Sequence, residues 1–453
     1  MNISVLPGVL LILLSSLLLV LERATGLFGQ PAIAAAFFIL MVLIYLTNIF
    51  IKSREFTISY FYQIFYFIFL LVSAAIVANG AYMIEIAKEG NANGVFWALA
   101  IFFITGLEVS RFAYYCSMRN FERLPSPRVH IAVEKGILLA IVFLAIAISF
   151  YVLVRYSSPY LLKIERNDFW TAVVPSSLGF VPSLIFQTFF LALSLYWMKD
   201  GGDKKLASVI VLSYLFITVF VLGQKMSFAI TYTMILGFFI AAHKPDFKIS
   251  WRVMLVSGLA GLSVLGLLIY SYVIIGRDAD FILIRVALQS QLNWSVLDGP
   301  EFPWFSTVLA SCYLGCQGFD SGADFMSYYY LPEAVYNHYT NTGTGLSGFF
   351  PALSIFSLGF PLALVAYMLT SFVMGILQAY LVNHIRRKNI IFSFLVFKIY
   401  FAVILFVYAG IQVIFNKPFW LAVLLCMAML VLLKLFSKQD RGNGDAGFRK
   451  VHE

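Results

Sequence analysis

The sequence contains few charged residues and few cysteines. Of its 453 residues, 12% are charged and 61% are hydrophobic, and the mean hydropathy is +0.90. Soluble domains carry about 25% charged residues, so this composition excludes a soluble enzyme. Four cysteines exclude a disulfide framework and a thiolate metal site. Cys312 and Cys316 are the only close pair, and their helical spacing favours two small packing residues over a disulfide.

Long apolar runs recur along the chain, and many reach the length of about 20 residues that a helix needs to span a membrane. Because lipid requires backbone polar groups to be paired within each segment, we predict an all-α polytopic membrane protein. The first run lacks a basic start and a small-residue cleavage site, so we expect a retained helix and not a signal peptide. The sequence predicts about twelve spans, near residues 3–21, 31–51, 57–79, 94–115, 135–154, 179–198, 206–224, 226–243, 253–275, 359–382, 390–411 and 418–436.

The basic residues indicate how these spans are oriented. The chain has 31 Lys and Arg against 22 Asp and Glu, and Lys and Arg accumulate in cytoplasmic loops. Placing the N-terminus inside puts most of the basic clusters inside, so both termini are predicted to be cytoplasmic. The chain then divides into a nine-helix part at 1–275, a large outer segment at 276–358, three helices at 359–436, and a disordered cytoplasmic tail at 437–453.

We expect the functional site to lie in the outer segment. It is acidic and rich in aromatic residues, including Trp294, Trp304 and the run from Tyr328 to Tyr330. Aromatic rings and carboxylates suit carbohydrate, whereas a nucleic-acid surface needs a basic patch. The alternative for any one ring is an aromatic belt at the membrane interface.

Residues 278–296 are predicted to form one amphipathic helix, with Asp278, Arg285, Gln289 and Asn293 on its polar face. Two guanidinium groups, on Arg277 and Arg285, could hold a pyrophosphate at this position. The alternatives are a polar face that only contacts water and an arginine that anchors the helix at the interface.

Two further features involve charged residues in or between the spans. Lys225 follows Gly223 in a predicted tight turn between two spans, where it is either an anion site or a lysine that reaches the membrane surface. Glu108 and Arg111 are predicted to form an ion pair, because they lie three residues apart on a helix.

The last part of the outer segment carries Glu333, His338 and Asn341, followed by a glycine-rich stretch at 343–348 and a re-entrant segment. His338 is the only histidine on the outer side, and histidine suits proton transfer near neutral pH. The alternative is a polar surface residue. No second histidine or cysteine stands at ligand spacing, so no metal site is expected.

The order of these parts resembles the Wzy-type polysaccharide polymerases, which join O-antigen or related repeat units. The resemblance covers about residues 200–400. It depends on the glycine turn with Lys225, the span that ends at Arg277 with Arg285 eight residues later, and the late segment from Tyr330 through His338 to Pro351. In this family the turn cation is commonly arginine, so Lys225 is a departure that supplies a point charge.

The resemblance implies an inverting, metal-independent glycosyltransferase of the GT-C type that needs no cofactor. Its donor and acceptor would be glycans linked to undecaprenyl pyrophosphate, at the outer (periplasmic) face of the bacterial inner membrane. Arg277, Arg285 and Lys225 would hold the pyrophosphate. His338 would take the acceptor proton, with Glu333 as the second candidate and Asp278 or Asp280 after it. The expected sugar contacts are Gln289, Asn341, Tyr328 and Trp294. Expected partners are membrane lipids, a chain-length regulator and a flippase, and no nucleic acid.

Two alternatives stay open. A lipid-linked glycan ligase uses the same leaving group. A transporter or flippase of lipid-linked sugars shares the twelve-span plan, although transporters usually show repeat symmetry and charged pairs near mid-membrane. The sequence shows neither repeats nor matched broken spans.

Overall fold

The computed structural model describes residues 5–25, 31–121, 131–164, 166–197, 204–223, 227–244, 280–299, 301–305, 319, 322–342, 350–409, 420–421, 423–425 and 427–428. Everything below concerns these residues.

The described chain is mostly helical, with one two-stranded hairpin. The first half contains α1 (Leu6–Thr25), α2 (Pro31–Lys52), α3 (Arg54–Ser59), α4 (Phe61–Ala78), β1 (Tyr82–Met83), β2 (Lys88–Glu89), α5 (Val95–Phe121), α6 (Ile131–Tyr156), α7 (Pro159–Leu162), α8 (Arg166–Asp168), a π-helix (Phe169–Val173), a 3-10 turn (Ser176–Leu178) and α9 (Val181–Trp197). The second half contains α10 (Lys204–Phe216), a π-helix (Ile217–Val221), α11 (Ser227–His243), α12 (Asp280–Ala287), α13 (Gln291–Leu297), α14 (Gly322–Tyr330), α15 (Glu333–Thr342), α16 (Ala352–Leu358), α17 (Phe360–Arg386) and α18 (Ile390–Ala409).

Within the part of the chain that the structure describes, seven helices are long and apolar enough to cross a membrane, and three shorter apolar helices accompany them. All ten coincide with predicted spans, which confirms the class of an all-α membrane protein. The predicted span at 253–275 lies outside the described residues, and the one at 418–436 is described at only a few positions. The number of twelve spans and the cytoplasmic termini therefore stay predictions. The seven long spans are Leu6–Ala24, Ile33–Lys52, Phe61–Ala78, Val95–Asn120, Gly136–Leu162, Ser176–Trp197 and Phe360–Arg386.

The centre of the bundle is a close pair of helices, α5 and α17. Phe102 of α5 contacts Phe360 of α17, with ring centroids 5.5 Å apart. Further along both helices, the Ser110 hydroxyl donates to the Ser371 carbonyl at 2.9 Å. Residue numbers rise together along the contact, so the two helices run parallel. Parallel helices are separated by an odd number of crossings, in agreement with the five spans that the sequence predicts between them.

Small residues allow this close approach. A Cβ at Gly375 of α17 would lie 2.3 Å from the Ser110 carbonyl oxygen and 2.9 Å from the Ala113 Cβ. Such contacts between helices are typical of membrane bundles, in which small residues bring two backbones together.

One end of the bundle, which we call the outer end, is where α1 finishes and α5 begins. The buried Glu22 carboxylate of α1 accepts the Gly94 amide at 2.7 Å and the Trp97 indole N–H at 2.6 Å. A carboxylate at this position pairs an amide at the helix start and complements its positive dipole end. Glu22 therefore fixes the end of α1 relative to the start of α5.

The predicted amphipathic helix at 278–296 is wrong as a single element. The chain forms α12 and α13 with a turn at Leu288–Ser290, and all of α13 is buried. The buried Ser290 hydroxyl donates to the Leu70 carbonyl at 3.1 Å, and Ser73 donates to the Val286 carbonyl at 2.6 Å. These hydrogen bonds hold the turn against the end of α4, so the second half of the segment packs into the protein and does not lie on the membrane surface.

The opposite, inner end carries charged pairs. Glu108 and Arg111 form the predicted ion pair at 2.5 Å, and the Tyr45 hydroxyl donates to Glu108. Nearer the helix ends, Glu55 pairs with Arg386 at 2.9 Å. The ion pair predicted from the i,i+3 spacing is confirmed.

We expect Gly375→Ala to lower stability by about 2 kcal/mol, because the new methyl group overlaps backbone atoms of α5. Thermal unfolding of the purified protein in detergent measures this. The matched control is Gly136→Ala in α6, where no atom of the described residues lies within 4 Å of the added Cβ. Alanine there should leave stability unchanged or raise it slightly. Equal midpoints for the two variants would contradict the close pairing of α5 and α17.

Candidate functional site

The hairpin at the outer end places an acidic side chain that the sequence analysis did not single out. Tyr82 pairs with Glu89 and Met83 with Lys88, so Glu85 stands in the turn between the strands. Met83 and Ile86 are buried while Glu85 is half-buried. The sequence around Glu85 carries no alternation that would have signalled the turn, because Ile84 is apolar and exposed.

Glu85 accepts a hydrogen bond on each of its carboxylate oxygens. The Tyr339 hydroxyl of α15 donates to Oε1, and the Gln291 side-chain amide of α13 donates to Oε2. Gln291 is fully buried, and its own Oε1 has no hydrogen-bond partner among the described residues. One carboxylate therefore joins three parts of the chain that are distant in sequence.

Arg285 provides the positive charge of this site. It is exposed on α12, and its charge acts on the Tyr339 phenol. Burial raises the pKa of Tyr339 above its usual value, the hydrogen bond to Glu85 and the charge of that carboxylate raise it further, and Arg285 opposes them. Tyr339 is therefore a neutral hydrogen-bond donor at physiological pH, bonded to the acidic group and acted on by the charge of the basic one. We call Glu85, Arg285, Gln291 and Tyr339 the outer cluster.

The predicted proton acceptors lie on α15. His338 is exposed and adjacent to the cluster, with its ring centroid 6.0 Å from that of Tyr339. Glu333 is exposed in the first turn of α15, six residues before Tyr339, which is about 9 Å along the helix axis. Asn341 is also exposed. His338 therefore adjoins the outer cluster as the chain neighbour of Tyr339, and Glu333 lies farther along the same helix.

The predicted sugar contacts have different environments. Tyr328 is 55% exposed and packs edge-on against Tyr336, with centroids 5.3 Å apart, so its ring is available to a ligand. Gln289 is half-buried, next to the outer cluster. Trp294, by contrast, is 2% exposed, and its indole N–H donates to the Asn91 carbonyl at 3.1 Å. This burial argues against a sugar contact for Trp294 and makes it a packing residue.

Two of the three predicted pyrophosphate ligands, Lys225 and Arg277, lie outside the described residues. Gly223, just before Lys225, has a φ of +64°. This is the left-handed backbone that the predicted tight turn at this glycine requires.

Polar side chains hold α13 under the outer cluster. Asn293 donates to the Phe350 carbonyl at 3.2 Å and accepts the Ala352 amide at 2.9 Å. Asn93 donates to the Trp294 carbonyl at 3.0 Å. Arg23 donates to the carbonyls of Leu297 and Gly299, at 2.7 and 3.0 Å. Asn93 and Arg23 thus satisfy carbonyls in the C-terminal half of α13 and just after it, and Asn293 ties the helix to the start of α16. Together these bonds fix the position of Gln291.

We expect Asn293→Ala to lower stability by about 2–3 kcal/mol, because it leaves a buried carbonyl and a buried amide without partners. Thermal unfolding in detergent is the measurement. Asn337→Ala on the exposed surface of α15 is the control and should unfold like the wild type. If Asn293→Ala also unfolded like the wild type, Asn293 would not be what positions α13.

Comparison with known proteins identifies one match. A family described as a family of unknown function (DUF6418) matches residues 318–436, a stretch that includes α14, α15 and α16 to α18 but not Glu85 or Arg285. No curated protein and no solved structure matches the chain.

Proposed function

We propose that this chain is a membrane glycosyltransferase that polymerises oligosaccharide repeat units linked to undecaprenyl pyrophosphate, at the outer face of the bacterial inner membrane. The observation that carries the proposal is the outer cluster. It places a cation, a carboxylate and a neutral phenol together at the outer end of an apolar bundle. The resemblance to Wzy-type polymerases supports the same assignment.

Glycosyl transfer needs two protein groups, a cation and a proton acceptor, and the outer end carries candidates for both. A departing lipid pyrophosphate needs positive charge, and we assign Arg285 to it together with Arg277 and Lys225. The acceptor hydroxyl needs a proton acceptor within hydrogen-bond reach. Among the residues chosen from the sequence, His338 has the better position for this role because it adjoins Tyr339, whereas Glu333 lies about two turns away.

Exposed aromatic rings of the outer segment offer surface that suits the glycan itself. Tyr328 and Tyr329 of α14 are 55% and 61% exposed, and Trp304 is 54% exposed. Isolated exposed rings are common on membrane proteins, but these lie in the same outer segment as Arg285. Sugar rings stack on aromatic faces through their C–H groups, so this surface would hold the growing chain, with Asn341 and Gln289 as polar contacts.

A lipid-linked glycan ligase would use the same groups, and product analysis separates it from a polymerase. A transporter of lipid-linked sugars is the second candidate, and the buried Glu108–Arg111 pair with Tyr45 favours it, because charged groups inside a membrane bundle commonly mark a transport path. Lys398 also lies in a span, where it donates to Gln187. A transporter would move a labelled lipid-linked glycan across vesicles without lengthening it, and a polymerase would lengthen it.

We expect Arg285→Ala to abolish long-chain glycan while the protein still inserts normally, because the leaving group loses its cation. Arg285→Lys should stay impaired, since a point charge replaces a bidentate fork. The control is Arg155→Ala, which removes another exposed arginine at the end of α6 and should leave the chain-length ladder unchanged. Normal ladders in Arg285→Ala, at matched protein levels, would remove Arg285 from the site.

We also expect the purified protein to lengthen lipid-pyrophosphate-linked repeat units in EDTA and without added nucleotide. The donor already carries its leaving group, and the proposed cations belong to the protein. Gel analysis of products over time, with and without EDTA, is the measurement. A strict requirement for a divalent cation would show that the outer carboxylates hold a metal, and the assignment of a carboxylate or histidine base would then fail.

A further inference from the structure

We infer that Glu85 is the catalytic base of the proposed glycosyl transfer and that neither His338 nor Glu333 has this role. The inference rests on the proposed function. It assigns a residue that is 200 positions before Arg285 in the sequence and reaches the same site only through the fold.

The first argument is that Glu85 is held in a fixed position. Tyr339 and Gln291 each occupy one of its carboxylate oxygens, and the turn that carries it belongs to a hairpin anchored by the buried Met83 and Ile86. A base works when it is held in its productive geometry before the substrate binds. Glu333 and His338 project from the exposed surface of α15.

The second argument is that Glu85 can still accept a proton. A carboxylate has about four lone-pair sites, and the two donors described here use two of them. Glu85 is half-buried and not enclosed, so an acceptor hydroxyl can approach the remaining sites. Tyr339 donates to Glu85, and α12, which carries Arg285, packs against the strand β1 of the same hairpin. The base and the cation proposed for the leaving group therefore belong to the same part of the structure.

The third argument comes from Gln291. A fully buried amide whose Oε1 has no partner among the described residues costs free energy. Its Nε2 hydrogen bond to Glu85 is the bond that this buried side chain does make. Unsatisfied buried groups are concentrated at functional sites, where position matters more than stability. Gln291 is a positioning residue for Glu85.

The reaction balances with these groups. The acceptor hydroxyl gives its proton to the Glu85 carboxylate while its oxygen forms a bond to the anomeric carbon of the donor. The bond from that carbon to the pyrophosphate oxygen breaks, and its electron pair leaves with the lipid pyrophosphate, whose charge Arg285 balances. Attack from the face opposite the leaving group inverts the anomeric centre. The proton on Glu85 then passes to water.

The experiment compares Glu85→Gln with Glu89→Gln in the purified full-length protein, using a synthetic undecaprenyl-pyrophosphate repeat unit as substrate. Glutamine keeps the shape of the side chain and cannot take the proton. We expect Glu85→Gln to lower kcat by about 100-fold or more while KM changes less than about threefold and the unfolding temperature stays near that of the wild type. Glu89 is exposed on the same hairpin, and Glu89→Gln should match the wild type in all three measurements.

Each outcome decides between the two proposals. If the wild type does not lengthen the substrate, the proposed function fails whatever the variants do. If the wild type is active and Glu85→Gln keeps more than half of its kcat, the function stands and Glu85 is not the base; a loss of kcat in His338→Gln alone would then assign His338.

If Glu85→Gln does not fold, Glu85→Asp replaces it. This variant keeps the charge but withdraws the carboxylate by about 1 Å, so kcat should fall at least tenfold, and a wild-type kcat would overturn the inference.

Discussion

A polar group that leaves water at the outer end of the bundle costs free energy unless it has a hydrogen-bond partner, and this cost fixes most of the outer segment. Asn293 satisfies a carbonyl and an amide at the start of α16, and Arg23 satisfies two carbonyls after α13. Because these partners come from the ends of separate helices, α13 has one position in which all of them are paired. That position presents Gln291 to Glu85. The outer cluster therefore depends on the packing of a short buried helix.

The fold class and the positions of ten apolar helices could be predicted from the sequence, because lipid forces each segment to pair its own backbone groups and so makes length and hydropathy informative. The Glu108–Arg111 pair could be predicted from its spacing of three residues along one helix. The turn at Leu288–Ser290, which separates α12 from α13, could not be predicted. The periodicity of 278–296 fits one amphipathic helix, and only the contacts of Ser290 and Ser73 with α4 and α12 reveal the turn.

A residue of the candidate site could be predicted only where its charge or aromatic ring is unusual among its neighbours in the sequence. Arg285 stood out as a cation among apolar residues, and it lies at the outer cluster. Trp294 stood out as an aromatic residue in an acidic segment, but it is buried, because composition does not distinguish a packing indole from a binding one. Glu85 had no such signal. Its role follows from contacts with Tyr339 and Gln291, which are more than 200 residues away in the sequence.

A structure of the full-length protein with a non-hydrolysable undecaprenyl-pyrophosphate oligosaccharide, determined by electron cryomicroscopy in a lipid nanodisc, tests the account most directly. The account predicts the pyrophosphate at Arg285 and a sugar hydroxyl within hydrogen-bond distance of Glu85, on the outer end of the bundle. A ligand bound inside the bundle beside Glu108 and Arg111, with the outer cluster empty, would contradict it and would favour a transporter.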